Sequence, residues 1–275
     1  MDFMINFNGK YVNESTSILK SSNRAFKYGD GLFETIKVLN SKIIFLEDHY
    51  FRLMASMRML RMEIPMKFTL EYFEEEVLNC AEKNKLTNAR VRFAVFRSDG
   101  GLYTPLENSI SYLIEASDLS VLLNANYKVD LYKDFYISSG FLSTLKTTNR
   151  ILNVLASIYA KENDLNNCIL INEKKHVVEA ANGNVFIVKG NVIKTPLLSE
   201  GAIKGIARKK VIEMIHELEG LELIETEISP FELQKSEEVF ITNAIVGIQP
   251  VSSYRKTTYN TTIGLMLREK LASLI

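Results

Sequence analysis

One lysine stands among apolar and hydroxyl side chains in the stretch Phe141-Leu-Ser-Thr-Leu-Lys146-Thr-Thr-Asn149-Arg150-Ile-Leu-Asn-Val-Leu-Ala156. From Phe135 to Leu145 the only ionisable side chain is the phenol of Tyr136. Apolar residues recur at helical spacing after Lys146, which places the lysine at the start of an amphipathic helix. Such neighbours disfavour the charged amine, and a neutral amine is a nucleophile that can form a Schiff base. The alternative is a solvated lysine in the loop before a helix.

Composition bounds the class of protein. The chain has 275 residues, which allows one or two domains, and 47% of them are hydrophobic. The 33 basic and 33 acidic side chains give a formal net charge of zero, so no nucleic-acid partner is expected. Two distant cysteines, Cys80 and Cys168, and three histidines do not form a metal-binding pattern. We therefore expect no metal.

Targeting and membrane signals are not evident in the sequence. The first residues lack a basic segment followed by an apolar one, and no run approaches the ~18 apolar residues that span a bilayer. We expect a soluble, cytoplasmic protein without a membrane partner.

The first part of the chain mixes strands and helices. Residues 3–12 alternate around the hairpin signal Asn8-Gly9. Periodicity predicts further strands after the Tyr28–Gly31 turn and at Lys42–Phe45, Val91–Arg97 and Ser111–Ala116, with helices at Leu46–Met62 and Thr69–Lys85. This order predicts an α+β domain, a small two-layer α/β sandwich, at residues 1–117.

The second part is richer in short strands. A polar, less periodic segment at residues 118–126 is expected to be an interdomain linker. Beyond it, short strands are predicted at Lys128–Tyr132, Cys168–Ile171, His176–Glu179, Asn184–Val188 and Asn191–Lys194. This pattern favours a barrel-like α+β domain over residues 127–275, carrying Lys146.

Candidate charged groups of a site lie in both parts. Glu179 ends a predicted strand before a turn of small residues, where a carboxylate can project into a cleft or be solvated. His49 and Arg52 share one face of a helix, and such an arginine is solvated or reaches inward to an anion. Arg97 ends the apolar face of its strand, as a surface charge or as a clamp for a carboxylate.

Two glycine-bearing turns are candidate anion sites. Gly201 and Gly205 precede a predicted helix at Lys209–Leu218, where free backbone N–H groups and the helix dipole favour an anion. The turn between Phe240 and Pro250 can form a second cluster of amides, although ordinary hairpin geometry explains it equally. With a lysine for an imine and a glutamate for a ring nitrogen, these features suit pyridoxal 5′-phosphate.

The chain resembles the class IV aminotransferases, the fold type IV pyridoxal-phosphate enzymes, over nearly its whole length. The most specific match joins Glu179, Asn184-Val185-Phe186, Ile193-Lys194-Thr195 and Ile203-Lys204-Gly205-Ile206-Ala207-Arg208. The resemblance also covers Tyr28-Gly29-Asp30-Gly31 with Phe33-Glu34, His49-x-x-Arg52-Leu53, Leu145-Lys146-x-x-Asn149-Arg150, and residues 243–250.

The resemblance implies a role for each matching residue. Lys146 is the Schiff-base lysine and Glu179 the partner of the pyridine nitrogen. The other cofactor-binding residues implied are Arg52, Arg150, Asn184, Gly205, Ile206, Ala207, Ala244 and Ile245. Tyr28, Phe33 and Arg97 would face the substrate.

Departures from the family pattern leave the reaction open. Ala207 and Ala244 stand where many relatives carry threonine, and Phe33 lacks the hydroxyl of D-amino-acid aminotransferases. Arg150 and the turn after Asn243 are closer to 4-amino-4-deoxychorismate lyase, yet Leu102 follows the glycine pair where that lyase carries arginine.

The resemblance implies a homodimer that moves an amino group between an amino acid and a 2-oxo acid. The alternatives are pyruvate elimination by the lyase reaction and a pyridoxal-phosphate-binding protein without turnover.

Overall fold

The computed structural model describes residues 3–121 and 123–275. Contacts divide the chain into two compact units. One comprises Met1–Val121 together with Lys146–Asn149, and the other comprises Leu122–Leu145 together with Arg150–Ile275. Leu122, within the predicted linker, lies outside the described residues, and the domain boundaries drawn from the sequence stay a prediction.

The first unit is built on one antiparallel sheet. Its elements are β1 (Met4–Phe7), β2 (Lys10–Asn13), α1 (Arg24–Tyr28), β3 (Gly31–Leu39), β4 (Lys42–Ile43), α2 (Leu46–Met59), α3 (Leu70–Lys83), β5 (Ala89–Arg97) and β6 (Ile110–Asp118). The strands pair in the order β2-β1-β6-β5-β3-β4, every pairing antiparallel.

One face of this sheet carries the core, because side chains alternate along each strand. Ile36 on β3 and Phe93 on β5 are fully buried, and helices α2 and α3 pack against the sheet. The opposite face holds Phe33, Thr35 and Arg92, which are only half-buried. This is the two-layer arrangement predicted for the first part of the chain.

Lys146 lies in a short extended segment beside the start of β3. Phe33 N–H donates to the Lys146 carbonyl oxygen (2.9 Å), and Thr148 N–H donates to that of Gly31 (2.9 Å). The next helix begins only at Ile151. Lys146 was expected at a helix start in the second domain, whereas residues 146–149 group with the first unit. Because β4 pairs only with the end of β3, the start of β3 has an open edge that these backbone groups occupy.

The second unit contains two five-stranded sheets. Its elements are β7 (Lys128–Leu131), α4 (Ile151–Glu162), β8 (Asn167–Ile171), β9 (Val177–Ala180), β10 (Asn184–Lys189), β11 (Val192–Pro196), α5 (Ile206–His216), β12 (Glu222–Thr226), α6 (Pro230–Lys235), β13 (Glu238–Asn243), β14 (Gly247–Pro250), β15 (Ser253–Tyr254), β16 (Thr257–Thr258) and α7 (Thr262–Ser273). Short 3-10 helices span Phe141–Thr144 and Leu198–Glu200.

The two sheets of this unit share one apolar core. Their strand orders are β12-β11-β10-β13-β14 and β16-β15-β7-β8-β9. Val129 and Ile169 from one sheet and Val185 and Ile241 from the other join the same buried cluster. Two sheets closed on one core, with helices outside them, confirm the predicted barrel-like α+β character.

Some helices differ from the sequence-based expectation. Helix α1 was not predicted; the Asn23 side chain caps it by accepting a hydrogen bond from Phe26 N–H (3.0 Å). Helix α2 ends at Met59 instead of Met62, because Arg61 adopts a positive φ of 55°. Helix α5 begins at Ile206, three residues before its predicted start. None of the helices among the described residues has the length and apolar character needed to cross a bilayer.

Candidate active site

The Lys146 segment, residues 146–149, is held to the first unit by side chains as well as by its backbone. Thr148 Oγ1 donates to the carbonyl oxygen of Gly29 (2.9 Å), and Asn149 Nδ2 donates to the same oxygen (3.0 Å). A Cβ on Gly29 would lie 2.1 Å from Asn149 Oδ1, and Gly29 has a φ of 64°. Glycine is therefore required where the segment meets the turn before β3.

The amine of Lys146 lies against an aromatic ring. Its Nζ is 4.4 Å from the centroid of Phe33, and Lys146 is half-buried. The guanidinium carbon of Arg92 lies 3.9 Å from the same centroid. Cations over an aromatic face are stabilised by the ring quadrupole. Phe33 thus gathers two basic side chains on the half-buried face of the sheet.

Arg92 was not among the residues predicted from the sequence. Arg97 ends the apolar face of β5, and Arg92 points to the other face. The register pairs Arg92 with Thr35, two residues from Phe33 on β3. The basic residues Arg90 and Arg92 on the second face of β5 were the sequence signal for this side chain. Only the pairing of β5 with β3 shows that Arg92 lies near Phe33. Burial lowers the pKa of Arg92.

Arg97 has a different environment from the one expected. It is buried, and its guanidinium donates to Asp30 Oδ2 (2.9 Å), Asn108 Oδ1 (2.6 Å) and the Leu60 carbonyl oxygen (2.7 Å). Most of the Arg97 donors thus meet acceptors of the protein itself. In this structure Arg97 ties β5 to the end of helix α2.

Tyr28, another predicted substrate residue, lies half-buried at the end of α1. Its ring packs on Tyr103 with centroids 5.5 Å apart, and the Arg24 guanidinium lies 5.0 Å from its centroid. Arg24 also donates to the carbonyl oxygens of Gly100 and Leu102 (3.0 and 2.5 Å). Tyr28 and Arg24 therefore pack the end of α1 against the loop of residues 100–103.

Arg52, predicted to bind phosphate, projects from α2 to Glu34 on β3. Its Nε donates to Glu34 Oε1 at 2.8 Å, and its Nη2 donates to Glu34 Oε2. His49 Nδ1 lies 2.7 Å from that second oxygen. Burial alone would raise the pKa of Glu34, but Arg52 and His49 lower it to about 2. The carboxylate is thus ionised between its two partners.

Glu179, in the second unit, is buried at the end of β9. Its residue is 3% exposed, which excludes the solvated alternative, and its Oε2 accepts a hydrogen bond from Ile203 N–H (2.9 Å). Arg150 lies just before α4, and its Nη2 donates to the Leu145 carbonyl oxygen (2.7 Å). Burial lowers the pKa of Arg150, and the negative charge of Glu179 opposes that shift.

The loop before α5 is held at both backbone groups of one residue, Ile203. Glu179 accepts from Ile203 N–H, and Asn184 Nδ2 donates to the Ile203 carbonyl oxygen (2.9 Å). Gly205 is the N-cap of α5 and has no side-chain cap. The first N–H groups of a helix lack intrahelical acceptors, so those of Ile206 and Ala207 are suited to an anion.

The second predicted amide cluster lies between β13 and β14. Asn243 Oδ1 accepts from Ile245 N–H (3.1 Å) and from Val246 N–H (2.8 Å). These two hydrogen bonds stabilise the turn, and one of them engages the Ile245 amide, which was predicted to contact phosphate. An anion at Ala244 and Ile245 would share the Ile245 amide with Asn243.

Residues 31–254 match the family model described as amino-transferase class IV. A putative branched-chain-amino-acid aminotransferase of Methanocaldococcus jannaschii is 31% identical over 255 residues, covering 90% of this chain and 86% of that protein.

Solved structures share the fold. A branched-chain amino acid aminotransferase from T.th. with pyridoxamine 5′-phosphate has a TM-score of 0.88 at 23% identity, over 99% of this chain and 94% of that one. A putative 4-amino-4-deoxychorismate lyase from Legionella pneumophila has a TM-score of 0.84 at 23% identity, over 94% of this chain and 96% of that one. These similarities confirm the predicted architecture.

Proposed function

Because this chain belongs to the class IV aminotransferase family, we propose that it transfers an amino group between an amino acid and a 2-oxo acid, with pyridoxal 5′-phosphate as its cofactor. The 31% identical relative from Methanocaldococcus jannaschii supports the reaction. The T.th. enzyme, which shares the fold, was solved with the aminated form of this cofactor.

The residues present fit that group chemically. The first unit supplies a half-buried amine, Lys146, beside an aromatic ring. The second unit supplies a buried carboxylate, Glu179, and the N-terminus of α5, whose N-cap Gly205 makes no side-chain hydrogen bond. When bound, pyridoxal 5′-phosphate supplies an aldehyde that adds amines reversibly and a cationic ring that withdraws electrons.

Lys146 and Glu179 have the catalytic roles in this proposal. The Lys146 amine would hold the cofactor and would release it to the incoming amino acid. Its Nζ would take the proton from the α carbon of the amino acid and would carry that proton as the acid that completes the transfer. Glu179 would accept a hydrogen bond from the ring N–H, and its negative charge would favour the protonated nitrogen. A buried carboxylate suits this role because the low dielectric strengthens its attraction to a cation.

The phosphate would be held by one arginine and by backbone amides. We assign Arg52 and the N–H groups of Ile206, Ala207, Ala244 and Ile245 to it, with Asn184 and Gly205 shaping the loop. Ala207 and Ala244 lack hydroxyl groups, so the amides act without that help. Arg150 is assigned to the cofactor's ring hydroxyl.

The substrate carboxylate requires a cation near the reacting amine. Phe33 and Tyr28 are assigned to the substrate side, as the sequence suggested. For the cation we favour Arg92 over Arg97. Arg92 and Lys146 share the Phe33 ring, whereas the Arg97 donors are used by Asp30, Asn108 and Leu60.

The observation that carries this proposal is the burial of Glu179, a carboxylate that accepts a hydrogen bond from the loop before α5. The test is a spectral titration of the purified protein with pyridoxal 5′-phosphate, followed by a panel of amino acids and then 2-oxo acids. We expect a visible band that an amino acid shifts to the aminated form and a 2-oxo acid restores. Lys146→Ala should abolish the band, and Lys161→Ala, on the exposed side of α4, should keep it.

A cofactor-loaded protein that shows no spectral change with any amine would refute the proposal and favour a binding protein without turnover. Release of 4-aminobenzoate and pyruvate from aminodeoxychorismate would instead identify the lyase reaction. These outcomes separate the three possibilities left open by the sequence.

A homodimer is the second part of the proposal, and an exposed apolar surface of the second unit supports it. Ile151, Val154 and Ile158 lie on one face of α4 and are 71%, 50% and 48% exposed. Phe141 and Leu142 are also exposed in the preceding 3-10 helix. Exposed apolar patches commonly mark interfaces between subunits. A cytoplasmic location stays a prediction of the sequence.

A further inference from the structure

A single carboxylate joins two basic side chains inside the first unit. Glu34 and His49 are each 1% exposed, and the Arg52 side chain is 13% exposed. Glu34 Oε1 accepts from Arg52 Nε (2.8 Å), and Glu34 Oε2 is shared by Arg52 Nη2 and His49 Nδ1. Both oxygens of the carboxylate are therefore engaged.

The geometry fixes the orientation of the guanidinium. His49 and Arg52 are three residues apart on α2, so they face the same strand. A planar guanidinium that meets both oxygens of a carboxylate cannot rotate without breaking one of two charge-assisted hydrogen bonds. Glu34 thus determines the plane in which Arg52 presents its remaining N–H groups.

Protonation is consistent with that arrangement. Glu34 is ionised and can only accept, so His49 donates through Nδ1–H. Burial lowers the pKa of His49, which leaves Nε2 as an acceptor. This Nε2 is buried without a hydrogen-bond partner among the described residues. Leaving a buried polar atom unpaired costs free energy, and buried ion pairs contribute little net stability. Net stability alone is therefore a weak explanation of the cluster, which also fixes an orientation.

We propose that Glu34, supported by His49, is a positioning residue that orients Arg52 for the phosphate of the cofactor. This inference depends on the proposed function, since it assumes that pyridoxal 5′-phosphate binds and that Arg52 contacts its phosphate. The negative charge of Glu34 by itself repels a phosphate dianion. If Glu34 favours phosphate binding, it must do so by orienting Arg52. Loss of that orientation would weaken phosphate binding when Glu34 is replaced, whereas loss of the negative charge would strengthen it.

The test compares the affinities of pyridoxal 5′-phosphate and pyridoxal, which differ only in the phosphate. We expect Glu34→Gln to weaken binding of the phosphorylated form about tenfold, the size of one lost charge-assisted hydrogen bond. Binding of pyridoxal should not change. Glu34→Asp keeps the negative charge but moves it back by one methylene, so it should weaken binding of pyridoxal 5′-phosphate to a similar extent. This variant provides the test if Glu34→Gln does not fold.

Tighter binding of pyridoxal 5′-phosphate by Glu34→Gln would overturn the inference, because Glu34 would then act only through its charge. Equal losses for both ligands would also overturn it, since they indicate general damage. Glu76→Gln is the matched control: Glu76 accepts from Asn6 Nδ2 and from the Tyr112 hydroxyl (each 2.7 Å), and its loss should leave the affinity ratio unchanged.

A double-mutant cycle tests whether Glu34 acts through Arg52. Arg52→Lys should itself reduce the preference for the phosphorylated ligand. With Arg52→Lys present, Glu34→Gln should have no further effect, and additive losses would contradict the inference. A wild-type protein that binds both ligands equally would refute phosphate recognition itself, and with it the proposed cofactor. If the wild-type protein prefers pyridoxal 5′-phosphate to pyridoxal and Glu34→Gln has the same affinity ratio, only the positioning role of Glu34 is refuted.

Discussion

Asn184 occupies the space in which a side chain on residue 205 would begin. A Cβ on Gly205 would lie 2.0 Å from Asn184 Oδ1, while Asn184 Nδ2 donates to the carbonyl oxygen of Ile203 (2.9 Å). One amide side chain therefore holds the loop before α5 and excludes any larger residue at its N-cap. The N-cap of α5 therefore has no side chain of its own to cap the first backbone N–H groups.

The first prediction is that Gly205→Ala displaces Asn184 and weakens cofactor binding. Crowding of this kind costs about 1–3 kcal/mol, so we expect about tenfold or greater loss of pyridoxal 5′-phosphate affinity in a fluorescence titration. Gly140→Ala is the control, since a Cβ there meets nothing within 4 Å. Unchanged affinity in Gly205→Ala would show that the loop does not carry the phosphate.

The second prediction separates two arginines on opposite faces of β5. Arg97→Lys should lower the free energy of unfolding by about 1–3 kcal/mol, because lysine cannot serve the separate acceptors that Arg97 meets. Arg92→Lys should leave stability nearly unchanged and raise KM for the amino acid. Denaturant unfolding and steady-state kinetics on both variants check this. The reverse pattern would restore Arg97 as the substrate residue.

The third prediction concerns pH. The folded-state pKa of Glu34 is about 2, below its ordinary value of 4.5. A depressed pKa contributes stability above the ordinary value, and that contribution is lost as the pH falls through the folded value. The wild-type protein should therefore lose its stability advantage over Glu34→Gln between about pH 4.5 and about pH 2. Urea unfolding across this range measures the difference, and a constant difference would contradict the assignment.

The fourth prediction concerns Glu179. Glu179→Gln keeps the shape of the side chain but cannot hold a positive charge on the ring nitrogen. We expect the visible cofactor band to persist while kcat falls about 100-fold or more, a loss typical for a group that controls a proton. The measurement pairs absorbance with amino-transfer rates. Undiminished rates would remove Glu179 from the mechanism.

The fifth prediction concerns the exposed face of α4. Ile158→Lys places a charge on the apolar surface formed with Ile151 and Val154, and it should shift the protein from dimer to monomer. Sedimentation velocity provides the measurement. Lys161→Ala, on an already polar position of the same helix, should not change the assembly. A monomeric wild-type protein would contradict the proposed dimer directly.

Much of the secondary structure could be predicted from the sequence. The alternating pattern around Asn8-Gly9 gave the β1–β2 hairpin, and helical periodicity gave α2, α3 and α4. The hairpin is also explained by its backbone, since Asn8 and Gly9 both adopt positive φ (53° and 85°). Such signals are local, because the period and the turn residues are contained within a few positions.

The limits of prediction were in contacts between distant residues. That Arg97 faces the substrate stays a prediction, and nothing in the sequence indicated that its side chain would donate to Asp30, Leu60 and Asn108. Arg92 was overlooked, since its nearness to Phe33 depends on how β5 pairs with β3. No local pattern reveals which acceptors a distant segment will bring to an arginine.

The sequence by itself determined the two kinds of unit, the family, and the types of residue that a cofactor site requires. Only the tertiary structure decided that Lys146 lies on an extended segment beside β3, against Phe33, and that Glu34 holds both Arg52 and His49. The reason is physical: hydrophobic periodicity is written along the chain, whereas register and buried polar pairing arise when separate segments satisfy one another's hydrogen bonds.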